Sequence, residues 1–118
     1  METFTKILII LVALEHFYIL YIEMFAWETI WKKIFAWALE EKLFSVTKWL
    51  AANQWLYNWF LWVGLLWSLY MNDKNISLFF LWCVVVAWLY GAYKSSKSIF
   101  FKQALPAIIT MIFTIIFL

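Results

Sequence analysis

The sequence predicts an all-α fold: an integral membrane four-helix bundle with antiparallel helices. Of its 118 residues, 68% are hydrophobic and only 14% are charged, whereas soluble domains have about 45–50% apolar and about 25% charged residues. In addition, four stretches are apolar over the length that a membrane-spanning helix needs, about 17–25 residues. This composition excludes an ordinary soluble domain and a disordered chain. The net charge of +2 is too small to indicate the strongly basic surface of a nucleic-acid-binding protein.

The four predicted spans cover residues 7–25, 50–71, 76–93 and 99–118. Only four residues separate the second span from the third, and only five separate the third from the fourth. Connectors this short force neighbouring helices to run antiparallel. Because no internal repeat and no long linker occurs, residues 1–118 are predicted to form a single transmembrane domain.

The stretch 27–48, between the first two spans, is predicted to be an amphipathic helix in the cytoplasmic membrane interface. Its apolar residues recur at roughly helical spacing, and charged residues take much of the other side. Trp and Lys side chains would anchor such a helix at the interface. An ordered loop is the alternative.

The placement of lysines predicts the orientation of the chain, because cytoplasmic loops carry an excess of Lys and Arg. The first and third loops, with the adjoining helix ends, hold seven lysines: Lys32, Lys33, Lys42, Lys48, Lys94, Lys97 and Lys102. The opposite side holds only Lys6 and Lys74. Both termini are therefore expected to face away from the cytoplasm.

Polar residues within the spans are candidates for a ligand site, because ionisable groups there are costly and usually face the bundle interior. The predicted pocket residues are Glu15, His16, Glu23, Asn53, Gln54, Asn58 and Gln103, with Tyr18, Tyr57, Tyr90 and Lys102 in support. Counting along each span puts Asn53, Gln54 and Gln103 at the depth of Glu23. The same count puts Asn58 at the depth of Glu15 and His16. We predict one cavity, lined by all four helices and open towards the cytoplasmic half, with Glu15 and His16 at its deep end.

The alternative is that these polar side chains only join helices through hydrogen bonds, which contribute about 0.6–2 kcal/mol each in membranes. A carboxylate near the middle of a span is poorly explained by that role, and Glu15 is such a residue. Cys83 is interpreted as a small buried hydrophobic residue. A single histidine provides no multi-histidine metal site within one chain, and haem would require one His ligand per chain or dimerisation.

Three functions remain open from these residues. The first is a site for a lipid, a quinone or another small apolar molecule, with Glu15 and His16 serving binding or proton transfer. The second is a proton-coupled transporter resembling the small multidrug-resistance transporters, although those have a weaker lysine bias. The third is a structural or assembly subunit without a ligand. The expected partners are the lipid bilayer, a small apolar ligand and further copies of the chain, but no nucleic acid, and the cofactor stays open.

Several motifs resemble a known family over nearly the whole chain. They are the run 11–29 (LVALEHFYILYIEMFAWET), Leu50-Ala-Ala-Asn-Gln54, Leu56-Tyr-Asn58 and Gln103-Ala-Leu-Pro-Ala107. They are similar to the small bacterial membrane family known as domain of unknown function 1304. The resemblance implies a four-helix protein of the bacterial inner membrane with no established activity. It also implies recurrent polar positions at the seven predicted pocket residues.

The chain departs from the family pattern by having tryptophan where glycine is expected. These positions are Trp31, Trp55, Trp59, Trp82 and Trp88. The chain has ten Trp and two Gly, whereas average usage would give about eight Gly. Either these faces turn to lipid, or UGA codons that the organism reads as glycine are written here as tryptophan.

Overall fold

The computed structural model describes residues 1–34, 40–94 and 97–118, and these residues form helices and turns without a strand. The predicted all-α class is therefore confirmed. The α-helices are α1 (Glu2–Phe25), α2 (Lys32–Ile34), α3 (Glu41–Val46), α4 (Lys48–Met71), α5 (Lys74–Lys94), α6 (Lys97–Ile99) and α7 (Leu105–Phe117). Two five-residue π-helical turns, Trp27–Trp31 and Phe100–Ala104, follow α1 and precede α7.

Each of the four long helices packs against two others: α1 on α4, α4 on α5, α5 on α7, and α7 on α1. Their shared core is apolar and consists of Ile9, Val12, Ala13, Leu65, Leu81, Val84, Val85 and Ala107. The molecule is elongated along the helices, with principal extents of 47 × 25 × 18 Å.

Within the described residues, three helical segments are long and apolar enough to cross a membrane: Glu2–Phe25, Lys74–Lys94 and Lys97–Phe117. They contain the first, third and most of the fourth predicted spans. The second predicted span lies on α4, which has the required length but not the required mean hydropathy. Its five tryptophans and the amides of Asn53, Gln54 and Asn58 account for this difference, because indole and amide N–H groups count as polar.

The connector between α1 and α4 differs from the continuous helix that the sequence predicts over 27–48. Ala26, with φ −131° and ψ 23°, ends α1, and the first π-helical turn and α2 follow. Glu40 is extended, with φ −61° and ψ 142°, before α3 begins. The prediction is wrong in its continuity, because an extended residue cannot lie inside a helix. Residues 35–39 of the predicted helix lie outside the described residues.

At the other end of the long helices, α4 and α5 are joined by a tight turn. Asn72 has a left-handed conformation, with φ 52° and ψ 39°, which asparagine tolerates better than most residues. The Asp73 amide N–H donates to the Ser68 carbonyl at 3.0 Å. The Asp73 side chain accepts hydrogen bonds from the amides of Asn75 and Ile76 at 2.8 and 3.2 Å. We call this the termini end, because the chain termini lie beside this turn, and the opposite end the connector end.

Close packing continues from the turn along α4 and α5. Ser77 donates to the Ser68 hydroxyl oxygen at 2.8 Å, and Ser68 donates to the Leu65 carbonyl at 2.7 Å. At Gly64 an added Cβ would overlap the Phe80 ring, so a larger residue would fit only if that ring moved.

Candidate functional site

A cavity of 480 Å³ opens at the connector end between α1, the connector, α4 and α5, and we call it the α1–α4 cavity. It is lined by Glu23, Trp27, Trp31, Thr47, Leu50, Ala51, Gln54, Tyr57, Asn58, Leu61, Ala87 and Trp88. No residue of α7 lines it, so it differs from the predicted pocket lined by all four helices. It does combine apolar walls with a few polar groups, as small-molecule sites do.

A buried hydrogen bond between two of the predicted site residues forms part of the cavity wall. Asn58 Nδ2 donates to Glu23 Oε2 at 2.7 Å, and both residues are only 7% exposed. The same Nδ2 also lies 3.3 Å from the Gln54 carbonyl oxygen. Because both amide hydrogens of Asn58 have acceptors, it has no further N–H to offer. Glu23 Oε1, in contrast, accepts no hydrogen bond from any described residue.

Two tryptophans from the connector form another wall of the cavity. The rings of Trp27 and Trp31 are stacked, with centroids 4.9 Å apart and an angle of 28° between their planes. Trp27 Nε1 donates to the Phe44 carbonyl at 2.9 Å and lies 3.3 Å from the Thr47 hydroxyl oxygen. The contacts of Trp27 thus hold the connector against the start of α4.

His16 lies next to this cavity but does not line it. It is fully buried, and its Nδ1 lies 2.8 Å from the Val12 carbonyl oxygen. Trp88 Nε1 donates to His16 Nε2 at 2.9 Å. These partners assign the neutral tautomer with the proton on Nδ1. Since both ring nitrogens are used, His16 links α1 to α5, which fits the structural alternative better than ligand binding.

Glu15 lies on another side of α1, in a groove of 420 Å³ between α1 and α7 that we call the α1–α7 groove. Its lining residues are Leu8, Leu11, Val12, Glu15, Lys102, Pro106, Ile109 and Thr110. Glu15 is partly buried and has no hydrogen-bond or ion-pair partner among the described residues. The structure thus divides the predicted single pocket in two, with Glu23 and Glu15 on different sides of α1.

The remaining predicted residues are distributed unevenly. Gln54 and Tyr57 line the α1–α4 cavity, and Lys102 lines the α1–α7 groove. Asn53, Tyr18, Tyr90 and the partly buried Gln103 are not among the lining residues of either space. Lys102 and Gln103 belong to the second π-helical turn, a distortion that often occurs at functional sites.

The sequence reasoning missed eight residues that line the α1–α4 cavity, and two of them had a readable signal. Trp27 and Trp31 were assigned to membrane anchoring, although their spacing of four places them on one helical face. Thr47 and Trp88 carry no sequence signal for a site. Within the described ranges, no group of three or more His, Cys, Asp or Glu side chains could hold a metal ion.

The five tryptophans at expected glycine positions have different environments. The indole N–H of Trp88 donates to His16 Nε2, and Trp31 lines the α1–α4 cavity. Trp59 and Trp82 are exposed by 40% and 57%. Trp55 has a buried Nε1 without a hydrogen-bond partner, a condition no other side-chain polar atom of the described residues shares. An unpaired buried N–H is costly, so position 55 fits tryptophan worst.

Comparison with known proteins agrees with the sequence motifs. The family model described as "Protein of unknown function (DUF1304)" matches residues 10–115. The chain is 34% identical over 116 residues to "Uncharacterized protein YpaA" of Lactococcus lactis subsp. lactis (strain IL1403), covering 95% of this chain and 97% of the relative. No solved structure matches. The chain belongs to the DUF1304 family.

Proposed function

We propose that this chain is a bacterial inner-membrane protein whose α1–α4 cavity binds a small, largely apolar molecule. In this proposal α1, α4, α5 and the segment Lys97–Phe117 span the membrane as an antiparallel four-helix bundle. Three of these segments have the required length and hydropathy. The fourth, α4, packs against both α1 and α5 and would run alongside them.

The lysines support an orientation with both termini outside. The connector end, the α5–α6 region and the second π-helical turn carry seven of the nine lysines, whereas Lys6 and Lys74 lie at the termini end. An excess of lysine marks the cytoplasmic side of membrane proteins. The α1–α4 cavity would therefore open in the cytoplasmic half of the bilayer.

The observation that carries the binding proposal is the Glu23–Asn58 pair at the wall of an otherwise apolar cavity. A purely structural pair would use its hydrogen-bonding capacity within the protein, as His16 does. Glu23 instead leaves Oε1 without a partner among the described residues. A volume of 480 Å³ falls within the range of about 300–1,000 Å³ that ligand pockets occupy.

Photo-crosslinking in lipid nanodiscs tests this proposal. The probe is an octyl alcohol that carries an aliphatic diazirine, and crosslinked peptides are mapped by mass spectrometry. We expect saturable labelling of residues around Trp27, Ala51 and Gln54.

Two neighbouring substitutions on α5 provide a matched control. Ala87→Phe would fill the cavity and should abolish the saturable labelling, because Ala87 lines it. Val86→Phe introduces the same side chain at an exposed position outside the cavity and should leave labelling unchanged. Labelling that Ala87→Phe does not reduce would contradict the proposal.

Proton-coupled transport is a second candidate, favoured by one observation on the α1–α7 groove. Glu15 is a carboxylate within an apolar helix that no described group pairs with, as expected of a proton carrier. Liposomes with an imposed pH gradient and a pH-sensitive dye test this function. A substrate-dependent proton flux that Glu15→Gln abolishes is the expected result, and the absence of flux in well-folded protein would exclude it.

A further inference from the structure

We propose that the molecule bound in the α1–α4 cavity is a hydrophobic cation, such as an alkylammonium. This inference rests on the proposed binding function and specifies the ligand class. It follows from three properties of the cavity wall: its formal charge, its remaining hydrogen-bonding capacity and its aromatic content.

The described residues of the cavity wall include one carboxylic acid and no basic residue. Glu23 is the acid, and the other polar lining residues are uncharged at neutral pH. Two lysines of the connector end are engaged elsewhere: Lys32 pairs with Glu41 at 2.6 Å and Lys48 with Glu28 at 3.1 Å. An anionic ligand would meet an acidic side chain with no cation among the described lining residues, whereas a cation would stabilise the ionised form of Glu23.

The hydrogen-bonding groups next to Glu23 favour a ligand that donates. Glu23 Oε1 is an acceptor without a partner among the described residues, while the amide hydrogens of Asn58 point to Glu23 Oε2 and the Gln54 carbonyl. This pair therefore presents an acceptor to a ligand and no N–H of its own. A protonated amine supplies both the missing donor and the complementary charge, whereas a quaternary ammonium supplies the charge alone.

The aromatic residues of the wall favour a cation over a neutral donor. Four rings line the cavity, those of Trp27, Trp31, Tyr57 and Trp88. The indole N–H groups of Trp27 and Trp88 donate to Phe44 and His16 respectively. These two side chains therefore offer a ligand only their π-systems, which attract cations. Several aromatic rings beside a carboxylate form the arrangement by which proteins recognise ammonium groups.

The test uses competitors that differ in charge but not in shape. Octyltrimethylammonium, its neutral analogue with a tert-butyl group in place of the trimethylammonium, and octyl sulfonate each compete with the diazirine probe in nanodiscs. Nanodiscs without protein correct for partition of each compound into lipid. We expect the cation to compete at a concentration about tenfold lower than the neutral analogue, from cation–π attraction and the Glu23 charge. The sulfonate should compete least.

Two variants assign this preference to the wall. Glu23→Gln keeps an acceptor for Asn58 but removes the charge, so the preference for the cation over the neutral analogue should fall at least threefold. Trp27→Leu should reduce the preference severalfold by removing a ring. Glu2→Gln, the same exchange on the same helix at the termini end, should leave it unchanged.

The outcomes separate this inference from the proposed function. If the probe does not label the cavity, the binding function itself fails. If the probe labels the cavity but the cation and the neutral analogue compete equally, binding stands and the cationic ligand is overturned. An unchanged preference in Glu23→Gln would likewise overturn it.

Discussion

The two ends of the molecule use polar side chains in contrasting ways. At the termini end, which has a smaller cavity of 190 Å³, the Ser68–Ser77 hydrogen bond and the bonds to the Asp73 side chain join polar groups of the protein to one another. There Lys74 Nζ also donates to the Ile115 carbonyl at 2.7 Å. At the connector end, the α1–α4 cavity of 480 Å³ lies between the helices, and Glu23 keeps an acceptor that no described residue uses.

This contrast separates polar residues that hold helices together from those that can recognise a ligand. Composition does not distinguish the two groups, because both contain hydroxyls, amides and carboxylates. What distinguishes them is whether each donor and acceptor has a partner within the protein. By that criterion His16 belongs to the first group, and our proposal assigns Glu23 to the second.

The largest expected effect is a loss of stability when bulk is added at the closely packed end. Gly64→Val places a side chain where the Phe80 ring lies and should lower the free energy of unfolding by about 1–3 kcal/mol. Reversible unfolding in mixed detergent micelles measures it. The double variant with Phe80→Ala should recover part of the loss. Ala87→Val, which extends into the cavity, should change stability little, and an equal loss there would contradict the contrast between the two ends.

A smaller loss is expected when the buried hydrogen bond of the cavity is removed. Asn58→Leu leaves Glu23 Oε2 without its donor and should cost about 1 kcal/mol, since the open cavity admits water that replaces part of the bond. The same unfolding measurement applies. If Asn58→Leu lowered the free energy of unfolding much more than Gly64→Val, the Glu23–Asn58 hydrogen bond would serve stability.

The Ser68–Ser77 hydrogen bond at the termini end should contribute less to the free energy of unfolding than the Glu23–Asn58 hydrogen bond does. Ser77→Ala removes the donor to Ser68, whose hydroxyl keeps its bond to the Leu65 carbonyl. We expect a cost of about 0.6 kcal/mol, the average for hydrogen bonds between membrane helices. Ser45→Ala, an exposed change in α3 outside this contact, is the control.

The smallest effect concerns an exposed ion pair of the connector. The hydrogen bond and the charge of Lys32 lower the pKa of Glu41 below its ordinary value. A carboxyl group whose pKa is lower in the folded state adds stability above its ordinary pKa, and this is lost as the pH falls through the lowered value. Lys32→Gln should return the pKa of Glu41 to its ordinary value in an NMR titration, with little change in unfolding. A pKa that stays low would show that Lys32 is not the cause.

Sequence reasoning located the helices well because membrane spans are coded by long apolar runs. It placed the polar residues less well, since depth was counted from the span ends as if these were level. Glu23 was expected at the depth of Gln54, yet its side chain reaches Asn58, one turn further along α4. The count also could not separate the sides of α1, which put Glu15 in the α1–α7 groove instead of the cavity.

The tryptophan-for-glycine positions set a further limit on prediction from this sequence. Trp55 has an unpaired buried N–H, whereas Trp88 has a partner that only a folded chain supplies. Reading the gene decides between the explanations: UGA at positions 31, 55, 59, 82 and 88 is expected if these residues are glycines in the organism. UGG at all five would refute that explanation.

The tight turn at Asn72 bears on how the chain enters a bilayer. Three side-chain amides of α4, those of Asn53, Gln54 and Asn58, lower its gain from entering a membrane alone. In the proposed topology this turn joins α4 to α5, so that the two would insert as one helical hairpin. The polar side chains of α4 would then enter the membrane together with α5, although they would oppose the insertion of α4 alone.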